Sequence, residues 1–271
     1  MPWQKDGPCT CRPWTPGSGG WSTLRCPETR GWPHGARGLA GTGTWWWSRP
    51  PGPGARGRTG GLRPAAPRAV ELEEAARALR LQVERTASRR VHRYFELLQE
   101  WNRKVDLVSP APAETLWRAH VLDSLLLLSM AAPPVRSRIA DVGSGGGLPG
   151  LVWACVREDL QVVLVEPRRK RVAFLERAVA ELGVRNAEVA SLRVEQLAED
   201  PTYRGTFDVA VARAVAPPEE VLQRAGALLK PSGRLLVPVG PAQAVRPPFL
   251  ELRRKIPWEV SRERRVAVLS V

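Results

Sequence analysis

Apolar positions along this chain fall into three regimes. From Val70 they recur every three or four residues: Leu72, Ala75, Ala76 and Leu79, then Val91, Phe95, Leu98 and Trp101. That spacing lines one face of an α-helix, so two helices are predicted here. Ser109-Pro110-Ala111-Pro112 interrupts the pattern, a third helix runs through Leu116, His120, Leu125 and Leu128, and Pro133-Pro134 ends it. Beyond that point short apolar runs alternate with helical stretches. Arg138–Val142, Gln161–Val165, Ala187–Ala190, Phe207–Ala212 and Arg234–Val239 read as strands. Leu151–Val156, Arg168–Leu182 (ended by Gly183) and Glu219–Leu229 read as helices, and Lys230-Pro231-Ser232-Gly233 as a turn. A last strand pair is expected around Trp258 and Arg265–Leu269. Such alternation predicts an α/β fold, a parallel doubly wound sheet with helices on both faces, behind an N-terminal helical extension.

Residues 1–69 follow neither rhythm. They hold seven of the 11 Trp and three of the 4 Cys, no Ile, Phe or Tyr, and are dense in Gly, Pro and Arg. A segment this poor in core-forming residues cannot offset its ordering entropy and is expected to be disordered. The predicted organisation is a tail over 1–69, a helical subdomain over 70–134 and an α/β domain over 135–271. The net charge of +14 is divided along the same line: the tail has 10 Lys+Arg against 2 Asp+Glu, the remainder 31 against 25. The remainder is compatible with nucleic acid but does not demand it. Arg far outnumbers Lys, as GC-rich coding would produce, and the tail reads as an over-extended start with the protein beginning near Val70. A basic RNA-binding arm is the alternative.

Cys9, Cys11 and Cys26 lack the paired C-x₂-C spacing and a well-placed His, and Cys155 stands in an apolar run, so no metal site is expected. Nothing suggests a disulfide framework, which favours a reducing cytoplasm. There is no apolar leader, and no run reaches the length needed to span a membrane.

The chemistry concentrates at Asp141-Val142-Gly143-Ser144-Gly145-Gly146-Gly147-Leu148-Pro149-Gly150. Glycines between a buried strand and a helix let the backbone approach a cofactor. Gly145-x-Gly147-x-x-Gly150 satisfies a dinucleotide pattern, with Glu166 19 residues after Gly147. The register is wrong for that ligand, because Gly143 already occupies the strand end. Asp141 would also repel a pyrophosphate, while the ammonium and sulfonium of S-adenosylmethionine would be favoured. Asp141-x-Gly143-x-Gly145-x-Gly147 is therefore read as a methyltransferase loop, with Glu166 placed to accept hydrogen bonds from ribose hydroxyls. Among methyl acceptors, an exocyclic amine commonly calls for an Asp/Asn-Pro-Pro-aromatic turn, where this chain has Ala216-Pro217-Pro218-Glu219. Attack through a pyrimidine C5 needs a Cys nucleophile, and Cys155 is in the wrong place. A purine N7 has a lone pair and no proton, so alignment and electrostatics suffice and no catalytic base is expected.

Six stretches in order resemble one family. They are Leu97-Leu98-Gln99-Glu100-Trp101-Asn102-Arg103-Lys104-Val105-Asp106-Leu107-Val108-Ser109, His120-Val121-Leu122-Asp123-Ser124-Leu125, and the glycine loop ending in Leu148-Pro149-Gly150. Lys170-Arg171-Val172-Ala173-Phe174-Leu175, Arg193-Val194-Glu195 and Arg213-Ala214 follow. From about Arg93 to Gly240 the chain resembles the ribosomal RNA small subunit methyltransferase G family, also called glucose-inhibited division protein B. The resemblance implies a Rossmann-like S-adenosylmethionine-dependent methyltransferase domain that acts on N7 of a guanine in bacterial 16S rRNA. The substrate would be 16S rRNA or a small-subunit precursor, and the protein is expected to act as a monomer. Asp141, Gly143, Gly145, Gly147 and Leu148 would hold the cofactor, Gly143 and Leu148 on its methionine side, with Glu166 at its ribose and Val194 and Glu195 near its adenine. Arg213 would sit at the mouth between cofactor and RNA, pairing with a phosphate or guanine O6. Lys170, Arg171 and His120 are further candidate RNA contacts.

Two departures stand out: Ala119 replaces the family's Arg before the His, and Val239-Gly240 replaces its Lys-Gly. A Lys missing at Val239 is expected to remove a cation from an RNA-facing rim. The alternatives are a divergent cofactor-binding protein of weak or no activity and a small-molecule methyltransferase.

Overall fold

The structure is a computed structural model describing residues 69–259 and 261–270. The expectations for residues 1–68, including disorder, an over-extended start and the cysteine trio, lie outside the described residues.

Two helices open the described chain, α1 (Ala69–Ala78) and α2 (Arg85–Asn102). On α2 the anticipated Val91, Phe95 and Leu98 are buried and Trp101 partly so, and Ala87 and Tyr94 widen the stripe. The third helical stretch is α3 (Ala113–Leu116), a wider π-helical turn over Trp117–Leu122, and α4 (Asp123–Ala131). A π turn rotates the residues after it relative to a regular helix. Here it carries His120 and leads directly into the buried Asp123 and Ser124.

The α/β part follows as β1 (Arg138–Val142), α5 (Gly150–Val156), β2 (Gln161–Val165), α6 (Arg169–Leu182) and β3 (Ala187–Ala190). Then come α7 (Val194–Glu199), β4 (Phe207–Val211), α8 (Pro218–Ala225), β5 (Leu229–Val239), β6 (Leu250–Lys255) and β7 (Glu263–Ser270). Among the described residues these strands form one sheet in the order β3-β2-β1-β4-β5-β7-β6. β1 to β5 are parallel, while β7 runs antiparallel to both β5 and β6. The order reverses between β1 and β4. In open α/β sheets a ligand binds at such a switch, beyond the carboxyl ends of the strands.

Alternate residues of each central strand point to opposite faces, and both faces are covered. Ile139, Val162, Leu164 and Val211 pack with Tyr94, Leu98, Trp117, Leu125, Trp153 and Phe174. Ala140, Val163, Val165 and Leu235 pack with Leu197, Phe207 and Val221 on the other side. The N-terminal helices thus share a core with α5 and α6. The same parity places Asp141 on the face covered by α5.

Three expectations need correction. Trp258 lies in the turn after β6, and the partner of the last strand is the charged segment Leu250–Lys255. Lys230–Gly233 lies inside β5, with a register shift between Phe207 and Val209 on its partner accommodating the extra residues. Val239 is 2% exposed and packs in the core with Phe249, so it does not belong to a solvent-facing rim.

Candidate functional site

The glycine loop closes over the carboxyl ends of β1 and β2. Gly143 and Ser144 donate their backbone N–H groups to Val165 O at 2.9 and 3.0 Å, tying the loop to the neighbouring strand. Gly143, Gly145 and Gly147 have φ of +70°, +56° and +83°, where a side chain is strained. Gly150 is needed for a different reason: a Cβ there would lie 2.6 Å from Asp141 Oδ2 and 2.7 Å from Leu164 Cδ2.

Asp141 sits beneath this loop and is fully buried. Its Oδ2 accepts the Gly150 N–H at 3.0 Å, at the start of α5, where a helix favours negative charge. Its Oδ1 has no partner among the described residues. Burial raises the carboxyl from 3.8 to about 6, against lowering effects of which the Gly150 hydrogen bond is the largest. The Ser144 hydroxyl donates to the Asp141 backbone O at 2.8 Å and leaves Oδ1 unpartnered. A buried carboxylate oxygen left without a donor costs about 1–3 kcal/mol, more when charged. A cation delivered to this loop would relieve that cost.

Glu166 continues β2 and is buried. Its Oε2 accepts the Gly145 N–H at 3.0 Å and its Oε1 the Arg168 N–H at 2.9 Å. A carboxylate has about four acceptor positions, so two hydroxyls can still be received. Arg171 reaches Glu166 Oε2 at 3.8 Å and donates to Asp106 O at 2.9 Å. The sequence put Arg171 on an RNA-facing helix end. The structure folds it back over the cofactor loop, while Lys170 stays exposed. Val194 and Glu195 begin α7, just after β3, and Glu166 N–H bonds Ala190 O at the end of that strand. Val194 is partly buried, whereas the Glu195 carboxylate is turned toward Arg224 at 3.5 Å.

The other side of the loop is built by the N-terminal helices, a contact that sequence reasoning missed although it found the helices themselves. Tyr94 is fully buried and donates its hydroxyl to Gly146 O at 2.6 Å. Burial pushes its phenol well above the usual range, so the hydroxyl stays protonated as a donor. Leu98 and Leu107 face Gly146, where a Cβ would approach Leu98 Cδ1 to 3.0 Å. Asn102 Oδ1 accepts the N–H groups of Leu107 and Val108, both at 2.9 Å, shaping the segment that carries Asp106.

Beyond β4, Arg213 enters a cluster with His120 and Asp123. Its Nη1 lies 3.4 Å from Asp123 Oδ2 and 3.5 Å from Ala119 O, and its Nη2 is 3.2 Å from His120 Nδ1. The guanidinium donates, so Nδ1 accepts and the imidazole proton belongs on Nε2. Burial, and secondarily the Arg213 charge, lower His120 to about 3, so it is neutral at physiological pH. Arg264 of β7 joins the cluster, donating Nε to Asp123 Oδ1 at 2.7 Å and Nη2 to the same oxygen. One signal for Arg264 was present in the sequence: period two puts it on the same strand face as Val266 and Val268, an arginine pointing inward.

A family model for rRNA small subunit methyltransferase G matches residues 87–244. The chain belongs to that family. The relative from Moorella thermoacetica, named ribosomal RNA small subunit methyltransferase G, is 40% identical over 126 residues, 46% of this chain and 52% of the relative. This chain therefore spans about half the length of that relative. The relative of the same name from Ralstonia nicotianae is 38% identical over 204 residues, 73% of this chain and 88% of the relative. The crystal structure of TrmN from Thermus thermophilus aligns at 20% identity and a TM-score of 0.43, over 60% of this chain and 54% of that one. Within the stretch matched by the rRNA small subunit methyltransferase G model lie Tyr94, the glycine loop, Glu166, Arg171 and Arg213. Arg264 lies beyond it. Among the described residues no helix is long and apolar enough to cross a membrane, and no acidic, His and Cys side chains group as a metal site.

Proposed function

We propose that this chain transfers a methyl group from S-adenosylmethionine to N7 of a guanine in 16S rRNA, as a monomer acting on RNA or a small-subunit precursor in the cytoplasm. Family membership supports the activity, and the observation that carries the cofactor assignment is the unpartnered, buried Oδ1 of Asp141 beneath the glycine loop. The donor set suits a ligand with a cationic amino-acid end and a diol. Asp141 would face the cation, Gly143, Gly145, Gly147 and Leu148 would admit its methionine side, Glu166 would receive the ribose hydroxyls, and Val194 and Glu195 would border the adenine. When bound, S-adenosylmethionine supplies an electrophilic methyl group on a sulfonium.

The residues around it then have to orient the acceptor and exclude water. Guanine N7 has no proton to lose, and the neutral His120 is not required as a base. Arg213 keeps donors directed at a phosphate or at O6, which holds the guanine with N7 facing the methyl group. Lys170 is the exposed RNA contact, whereas Arg171 serves chiefly to brace Glu166 and the segment around Asp106.

Radiolabelled cofactor incubated with undermethylated small subunits should label one guanine, mapped as N7-methylguanine. Absence of label in rRNA, with the cofactor bound, would refute the proposal. Labelling of a small molecule without RNA would favour the other enzyme class.

A further inference from the structure

Two arginines share one buried carboxylate in this cluster, and they share it unequally. Arg264 places two donors on Asp123 Oδ1, one of them at 2.7 Å. Arg213 reaches the other oxygen only at 3.4 Å, and its other contacts are 3.2 and 3.5 Å long. Charged hydrogen bonds of full strength are shorter, about 2.7–2.9 Å. Both guanidiniums are 12% exposed and Asp123 is 5% exposed, so neither charge is satisfied by water. With His120 neutral, the contacts among the described residues bring both Arg213 and Arg264 to the one carboxylate of Asp123.

We infer that Arg264 is a positioning residue: by occupying Asp123 it prevents that carboxylate from capturing Arg213, and so leaves the Arg213 fork available to an oxygen of the RNA acceptor. The inference rests on the proposed methyl transfer and adds a residue beyond the matched stretch 87–244. Without Arg264, Asp123 would find its nearest cation in Arg213, and the fork would turn away from His120 and from the mouth.

The test uses the full chain, with Arg264→Ala, Asp123→Asn and the double variant. Arg264→Ala should lower kcat on undermethylated small subunits by about a hundredfold, the order expected when a reacting group is misplaced by an ångström, with the dissociation constant for S-adenosylmethionine nearly unchanged. Adding Asp123→Asn should restore at least about a tenth of wild-type kcat, because no carboxylate remains to capture Arg213. A double variant as slow as Arg264→Ala, or slower, overturns the inference, since removing the carboxylate would then not free Arg213. Because removing both halves of a buried pair also relieves a merely structural defect, a double variant that regains stability but not kcat overturns it as well. Arg264→Lys keeps the cation and should fall between wild type and Arg264→Ala, which preserves the test should the alanine variant fold poorly.

A second readout does not depend on turnover. The chain has 3 His, so the His120 ring can be followed by NMR. Arg213 is its charged neighbour and itself lies within electrostatic reach of Asp123, Tyr94, Arg264 and Asp141. In Arg264→Ala the His120 midpoint should rise from about 3 as the Arg213 charge moves off, and in the double variant it should fall back. An unchanged His120 in Arg264→Ala overturns the inference even where no rRNA is labelled. A wild type that labels no rRNA, with the His120 shift intact, refutes the methyl-transfer proposal and leaves the positioning standing.

Discussion

Removing the charge of Asp141 should make the empty protein more stable at neutral pH while weakening its hold on the cofactor. In the folded chain this carboxyl ionises at about 6 instead of 3.8, chiefly because burial penalises the anion. The folded state therefore keeps a proton that the unfolded chain has already released, and stability falls as pH rises through the window from 3.8 to 6. A displacement of that size corresponds to about 2.4 kcal/mol lost between pH 4 and pH 8. For a folded region of this length that is roughly 5–10 °C in Tm. Asp141→Asn does not titrate, and its carbonyl can still accept the Gly150 N–H. Melting curves for wild type and variant at half-unit pH steps, without cofactor, isolate the residue as a difference of differences. Wild type should lose several degrees relative to the variant on going from pH 4 to pH 8. S-adenosylmethionine should reverse the order at pH 8, stabilising wild type far more than the variant, and its affinity for wild type should drop as pH falls below 6. Parallel curves for the two proteins without cofactor would refute the account of a strained, buried anion. Equal cofactor affinity would refute its role as the partner of a cation.

Other parts of the site make smaller, separable predictions. Tyr94→Phe leaves Gly146 O buried without its donor and should cost about 1–2 kcal/mol in denaturant unfolding, together with weaker cofactor binding seen by calorimetry. Gly150→Ala drives a Cβ to 2.6 Å from Asp141 Oδ2. The overlap should destabilise by about 1–3 kcal/mol, read as a lower Tm, and a variant as stable as wild type would show that the helix start can shift. Lys170→Ala should reduce the slope of log affinity for RNA against log salt by about one, whereas Arg171→Ala should leave the slope unchanged and weaken the cofactor instead. The opposite assignment in filter-binding and calorimetry would return Arg171 to the RNA face.

The central strands were legible because their apolar runs are buried on both faces: Arg138–Val142 and Gln161–Val165 have the bounds read from sequence. β6 was not, because an edge strand written Leu-Glu-Leu-Arg-Arg-Lys carries no apolar face to detect. At the site, the loop and Glu166 follow from local spacing. Asp123, Tyr94 and Arg264 do not, since their partners lie 52 to 141 residues away in the chain. Val239 shows the opposite error: a position judged by the residue a family places there, when the fold turns it into the core.

The grip of Tyr94, Leu98 and Leu107 on Gly146 bears on any attempt to transplant this domain. A chimera built from residues 135–271 alone would inherit the spelling of the glycine loop without the wall that gives it shape. The unit of inheritance for cofactor binding in this chain thus begins at α2, well before the first strand of the sheet.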